Sequence, residues 1–129
     1  MTITRGWRSF FWFPAAYNFM VGVPPMLAPN QAFGLPAPDP FFIFSMQLLG
    51  ALFSTFGIGY AMVAVGRPCA REILTLGIIG KWGLCILIAA HLTRYSLPAP
   101  MVIAACGDFL FVCAFLYFLL KSRPSTAAG

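Results

Sequence analysis

The chain has 129 residues, of which 60% are hydrophobic and only 9% are charged, and its mean hydropathy is +0.87. An ordinary soluble domain carries about 25% charged residues, so this composition indicates one small integral membrane domain. The net charge of +5 does not indicate nucleic-acid binding, because the basic residues flank apolar segments instead of clustering on one face.

Four apolar segments divide the chain, each near the ~20 residues that a helix needs to cross the hydrocarbon core. We predict helices at 9–28, 40–65, 70–93 and 100–120, within one four-span domain at 1–121, followed by a flexible tail at 122–129. Because the connections are short, sequential helices should be antiparallel neighbours. The predicted fold is therefore all-α, an integral membrane antiparallel four-helix bundle.

The first segment is the least regular of the four. Arg5 and Arg8 precede an apolar run that is crowded with aromatic residues and lacks a clear small-x-small cleavage site. We therefore expect a retained helix and not a cleaved signal peptide. Pro24 and Pro25 predict that this helix ends or kinks near Val23.

The second segment has a clear start and stop. Asp39 is a good N-cap residue, and Pro40 suits the first helical position, so the helix should begin there. Gly66 followed by Arg67 and Pro68 should end it, because glycine favours the C-terminal cap and proline cannot continue the helix.

Small residues recur along this second segment at a helical spacing of four, three and four. They are Gly50, Ser54, Gly57 and Ala61. Small residues let membrane helices approach closely. This seam should therefore face a neighbouring helix, whereas a position such as Val63 should face lipid.

The basic residues predict the orientation of the chain in the membrane. In a four-span arrangement six of them lie on one side: Arg5, Arg8, Arg67, Arg71, Lys121 and Arg123. The opposite side has only Arg94. Because Lys and Arg are enriched in cytoplasmic loops, both termini should be cytoplasmic.

One polar side chain from each predicted helix lies near mid-membrane, about 15 to 20 Å from the cytoplasmic flank at the helical rise per residue. The four form a predicted intramembrane polar cluster of Asn18, Ser54, Lys81 and Asp108. An ionisable group inside a membrane is costly and normally has a partner. Lys81 and Asp108 are thus either an ion pair that fixes helix order, a ligand or proton site, or a contact with another protein chain.

Other chemically active side chains give weaker signals. His91 should lie near the outer interface, and no local pattern supplies a second haem ligand. The four cysteines contain no Cys-x-x-Cys motif, so we expect free thiols and no metal site. The sequence also contains no phosphate loop, nucleophile elbow or metalloprotease helix, so it provides no catalytic residues to name.

Several short runs together resemble an uncharacterised group of small bacterial four-helix membrane proteins. They are AYNFMVG at 16–22, FGLP at 33–36, FGIGY at 56–60, GIIGK at 77–81 and GDF at 107–109. More loosely, four spans with a hydrophobic outer loop after the first are similar to the DoxX-like superfamily. The resemblance implies a four-helix fold in the bacterial inner membrane. The looser relatives are linked to respiratory or redox partners, for which this sequence shows no matching residue set.

We therefore expect a multi-pass inner-membrane protein without catalytic machinery, acting as a structural or accessory subunit of a membrane complex. Its expected partners are the lipid bilayer and another membrane subunit or a second copy, with no cofactor, metal or nucleic acid. The alternative is a protein that binds or transports a lipophilic small molecule, or couples to protons, at a Lys81 and Asp108 site. A cavity reaching Lys81 would favour binding, and a dry, closed pair would favour a structural role.

Overall fold

The computed structural model describes residues 3–32 and 39–122, and every regular element in these two ranges is helical. The elements are α1 (Arg5–Leu27), α2 (Pro29–Ala32), α3 (Pro40–Ala64), α4 (Ala70–Leu92) and α5 (Ala99–Lys121). The FGLP run at 33–36, Arg123 and the predicted tail from 123 onward lie outside the described residues.

Three helices are long and apolar enough to cross a membrane, namely α3, α4 and α5. Each differs by at most one residue at either end from the segment expected from the sequence. α1 has 23 residues but is not among these three, because two arginines, a buried asparagine and three prolines reduce its apolar character. Over residues 3–32 and 39–122 the protein is thus all-α, with three membrane-capable helices.

α1 begins four residues earlier than expected and continues through Pro24 and Pro25 to Leu27. The helix therefore does not end near Val23, and a kink there stays a prediction. Proline lacks the backbone N–H but has a backbone angle that suits a helix. The N–H of Ala28 donates to the carbonyl of Pro24 at 2.8 Å, so helical hydrogen bonding resumes directly after the two prolines.

The predicted start and stop of α3 are confirmed. The Asp39 carboxylate accepts a hydrogen bond from the backbone N–H of Phe42 at 2.9 Å, and Pro40 occupies the first turn. After the last helical residue, Gly66 has a φ of 84°, which is a left-handed conformation that side chains disfavour.

The chain divides into two compact units. In the unit Gly6–Val65, α1 and α3 run antiparallel and lie close together at Gly22 and Gly50. A Cβ atom on Gly22 would lie 2.7 Å from the carbonyl oxygen of Gly50 and 2.8 Å from the hydroxyl oxygen of Ser54. The predicted small-residue seam of α3 therefore packs against α1.

The buried face of α3 is wider than this seam. Gly50, Gly57 and Ala64 are buried along one line, and Tyr60 and Val63 are also fully buried. At 3.6 residues per turn these positions cover an arc of about 140°. Val63 lies at the edge of that arc, so its predicted lipid-facing position is wrong.

The second unit consists of Met1–Arg5 and Gly66–Gly129 and is built on α4 and α5. These two helices are joined by a short connection and pack against each other as an antiparallel hairpin. Leu74 of α4 and Val112, Phe115 and Phe118 of α5 are buried. Lys81 and Asp108 are buried on the same two helices, halfway along the hairpin.

Candidate functional site

The site is an ion pair in the middle of the α4–α5 hairpin. Lys81 lies eleven residues into α4, and Asp108 lies nine residues into α5. Because the helices are antiparallel, these positions face each other at the same level. The Lys81 ammonium forms a salt bridge and hydrogen bond with Oδ1 of Asp108.

Both members of the pair are almost completely withdrawn from solvent. Lys81 is 5% exposed and Asp108 is 1% exposed. A buried charge without a partner is strongly unfavourable, and the opposite charge across the hairpin offsets that cost. Gly77, one turn before Lys81, is also buried on the same face of α4.

An aromatic ring adds to the surroundings of the ammonium group. The Lys81 nitrogen lies 5.7 Å from the centroid of the Phe111 ring, within the range of a cation–π interaction. Phe111 follows Asp108 by three residues and therefore lies on the same face of α5. Phe111 could have been identified from the sequence, because an aromatic residue one turn from a helical carboxylate lies on the same face and can contact the carboxylate's partner.

Asn18 and Ser54 belong to the other unit, where each has a bond of its own. The buried Asn18 amide donates to the carbonyl of Pro14, one turn earlier in α1, at 2.7 Å. The half-buried Ser54 hydroxyl donates to the sulfur of Met26 at 3.6 Å. The structure thus joins Lys81 to Asp108, and a cluster of all four residues stays a prediction.

An apolar groove of about 370 Å³ lies between α4 and α5, starting one turn from the ion pair. Cys85 and Cys106 line it from opposite helices, and both are free thiols, as are Cys69 and Cys113. The Cys85 thiol donates to the carbonyl of Ala105 at 3.5 Å. No group of three or more His, Cys, Asp or Glu residues within the described ranges is arranged to hold a metal ion.

A second, more polar cavity of about 410 Å³ lies at the end of α4. It is lined by Ala90, His91, Thr93, Arg94 and Tyr95. The ring Nδ1 of His91 is bonded to the carbonyl of Leu87 at 2.9 Å, and since a carbonyl only accepts, Nδ1 carries the hydrogen. His91 is exposed near the end of α4, and its position at the outer interface stays a prediction.

Chemically, the ion pair can hold two helices in register, or, if it opens, its members can change partner or protonation state. In the closed pair, each charge compensates the other. No protein-family model matches the chain, and neither a curated protein nor a solved structure matches it.

Proposed function

We propose that this chain is a small integral protein of the bacterial inner membrane that acts as a structural or accessory subunit of a membrane complex. In this proposal α1 is a fourth span, the helices form an antiparallel bundle, and both termini are cytoplasmic. The DoxX-like resemblance implies the four spans, and the distribution of basic residues predicts the orientation. The observation that carries the structural role is the closed and buried pair of Lys81 and Asp108.

A working binding or proton site needs access for its ligand or for water. The exposed fractions of Lys81 and Asp108 are 5% and 1%, and the two charges are directed at each other. Such a pair specifies which faces of two membrane helices meet, because any other register would leave both charges unpaired in an apolar medium. The geometry therefore favours a role in helix registration.

The outer faces of the hairpin support a subunit role. Ile79, Leu87, Ile103, Leu110 and Leu120 are all more than half exposed. In a membrane, such faces contact lipid chains or the apolar faces of other membrane helices. The chain thus has large surfaces available for a neighbouring subunit.

The test compares the wild-type chain with Lys81→Met, Asp108→Leu and the double variant. Each single change leaves one buried charge without its partner and should cost about 3 to 5 kcal/mol, whereas the double change should be close to neutral. The stability of each variant in detergent measures these differences in free energy. Native gel electrophoresis of mildly solubilised membranes gives a second result: the wild type and the double variant should migrate in the same complex, larger than the chain alone.

Two outcomes would contradict the proposal. Strictly additive losses in the double-mutant cycle would show that the pair does not act as a unit. Migration of the wild-type chain at its own mass would remove the subunit role.

One observation favours a second candidate function, the binding or transport of a lipophilic small molecule or a proton. The apolar groove begins at Cys85, one turn along α4 from Lys81. If the double variant is stable and assembled but the cellular phenotype of a gene deletion is not complemented, the pair belongs to a working site and this second function is preferred.

A further inference from the structure

We propose that the α4–α5 hairpin binds an anionic phospholipid at its Arg94 end, with the phosphate on the polar cavity and one acyl chain in the apolar groove. The inference requires insertion of this hairpin in a membrane, and it does not depend on the role of the Lys81–Asp108 pair. It assigns a ligand class to two cavities that the proposed subunit function leaves unused.

The groove has the chemistry of an acyl-chain site. It runs along one face of α4 through Cys85, Ala89 and Leu92, at a helical spacing of about four and three residues. On α5 it is bounded by Val102 and Phe109. These side chains offer carbon and sulfur surfaces, and the groove is open along its length to the surrounding medium.

The polar cavity and the groove both reach the last turn of α4. Leu92 lines the groove, and its chain neighbours His91 and Thr93 line the cavity. The Thr93 hydroxyl donates to the carbonyl of Ala90 at 2.7 Å, and Arg94 and Tyr95 contribute further side-chain donors to the cavity lining. A phospholipid is a suitable ligand because it joins a charged head group, which would occupy the polar cavity, to apolar chains, one of which would occupy the groove.

Charge complementarity favours a phosphate over other head groups. Arg94 is exposed, and the described carboxylates of its unit do not reach it. Asp108 is paired with Lys81, and Glu72 lies in the first turn of α4, about 30 Å away along the helix. A guanidinium group binds a phosphate through two parallel hydrogen bonds.

The head group, not the chain, should determine which lipid is selected. Inside a bilayer the groove competes with lipid tails that are as apolar as its own lining, so the chain gains packing but little hydrophobic free energy. The Arg94 guanidinium can bond the phosphate of either lipid, but the ammonium of a zwitterionic head group competes with it for that phosphate. A lipid with net negative charge should therefore be preferred by roughly tenfold.

The experiment uses the purified full chain in detergent, freed of lipid and then equilibrated with equal amounts of phosphatidylglycerol and phosphatidylethanolamine that carry identical acyl chains. Native mass spectrometry counts the lipids retained. We expect phosphatidylglycerol to be retained over phosphatidylethanolamine by the tenfold preference given above. Arg94→Gln should abolish this preference, and Arg71→Gln, which removes an exposed arginine from the opposite end of α4, should preserve it.

The groove is tested separately. Ala89→Phe places a ring in the groove and should reduce the retention of both lipids, whereas Ile86→Phe on the exposed α4 surface outside it should not. Arg94→Lys and Ala89→Leu serve as milder versions should either variant fail to fold. Equal retention of both lipids by the wild type, or an unchanged preference in Arg94→Gln, would overturn the proposal. Unchanged retention in Ala89→Phe would overturn the groove as the chain site.

This result is independent of the subunit proposal. The Lys81→Met and Asp108→Leu double variant should keep the lipid preference whether or not it keeps its place in a complex.

Discussion

At the scale of single residues, Arg8 shows a role that its sequence position did not reveal. Its Nε donates to the carbonyl of Ala64 at 3.0 Å, and its terminal nitrogen donates to the carbonyl of Val65 at 2.9 Å. The last carbonyls of a helix have no partner within it, and a cation near them is also favoured by the helix dipole. Arg8 of α1 thus caps the C-terminal end of α3.

We predict that Arg8→Ala lowers the free energy of unfolding in detergent by about 1 kcal/mol, because two helix-end carbonyls lose a charged donor. Thermal unfolding followed by circular dichroism measures this change. Arg5→Ala is the matched control, since Arg5 is an exposed arginine one turn earlier in the same helix. Equal melting temperatures for the two variants would show that the cap contributes nothing.

The pairing of Lys81 with Asp108 could be anticipated from the sequence, because two opposite charges at similar membrane depth have few other ways to be satisfied. The hydrogen-bond partner of Asn18 could not be anticipated from the sequence. An asparagine in a helix can bond across to another helix or back to its own backbone, and here it donates to the Pro14 carbonyl. Spacing alone does not distinguish these alternatives.

At the scale of elements, two helical glycines in different units predict opposite effects of substitution by alanine. Gly22 of α1 lies against Gly50 and Ser54 of α3, where a Cβ atom would be 2.7 to 2.9 Å from three atoms. Gly83 of α4 has nothing within 4 Å of the position of a Cβ atom. The first glycine serves helix packing, and the second does not.

We predict that Gly22→Ala destabilises the protein by about 1 to 3 kcal/mol, because α1 and α3 must separate to admit a methyl group. Gly83→Ala should be neutral or stabilising by up to about 1 kcal/mol, because alanine is the better helix former. Melting temperatures of both variants in one detergent measure the difference. A Gly22→Ala variant as stable as Gly83→Ala would show that the close approach at Gly22 does not limit packing.

Element boundaries were predictable where local chemistry decides them, as at Asp39 and Gly66. The continuation of α1 through Pro24 and Pro25 was not predictable, because a proline pair removes hydrogen bonds without preventing helical backbone angles. The burial of Val63 also escaped prediction. A small-residue seam shows where helices meet most closely, but the width of the buried face depends on what else packs beside it.

At the scale of the whole molecule, the number of membrane spans depends on α1. Three helices are apolar enough to cross, and the proposed four-span topology needs α1 as well. With four spans, the start of α1 and residue Gln31 lie on opposite sides of the membrane. With three spans they lie on the same side, and Arg5 and Arg8 would be external, against the usual distribution of basic residues.

We predict that reporters fused to the N-terminus and to the C-terminus are cytoplasmic and that a reporter inserted at Gln31 is periplasmic. A fluorescent protein that matures only in the cytoplasm and a phosphatase active only in the periplasm provide the paired readouts. The C-terminal fusion is the internal control, because both arrangements place it in the cytoplasm. Periplasmic activity at both the N-terminal and Gln31 fusions would rule out α1 as a span.

The ion pair also has a consequence for how the protein is made. Lys81 precedes Asp108 by 27 residues. At a synthesis rate of about 5 to 20 residues per second, Lys81 is therefore synthesised roughly 1 to 5 s before Asp108. A lone charge at the centre of an inserting helix costs about 2.5 to 3.5 kcal/mol. α4 and α5 are therefore expected to leave the insertion machinery together, as one hairpin whose two buried charges compensate each other. A ribosome that stalls between the two helices should therefore leave Lys81 in α4 without the carboxylate that compensates its charge.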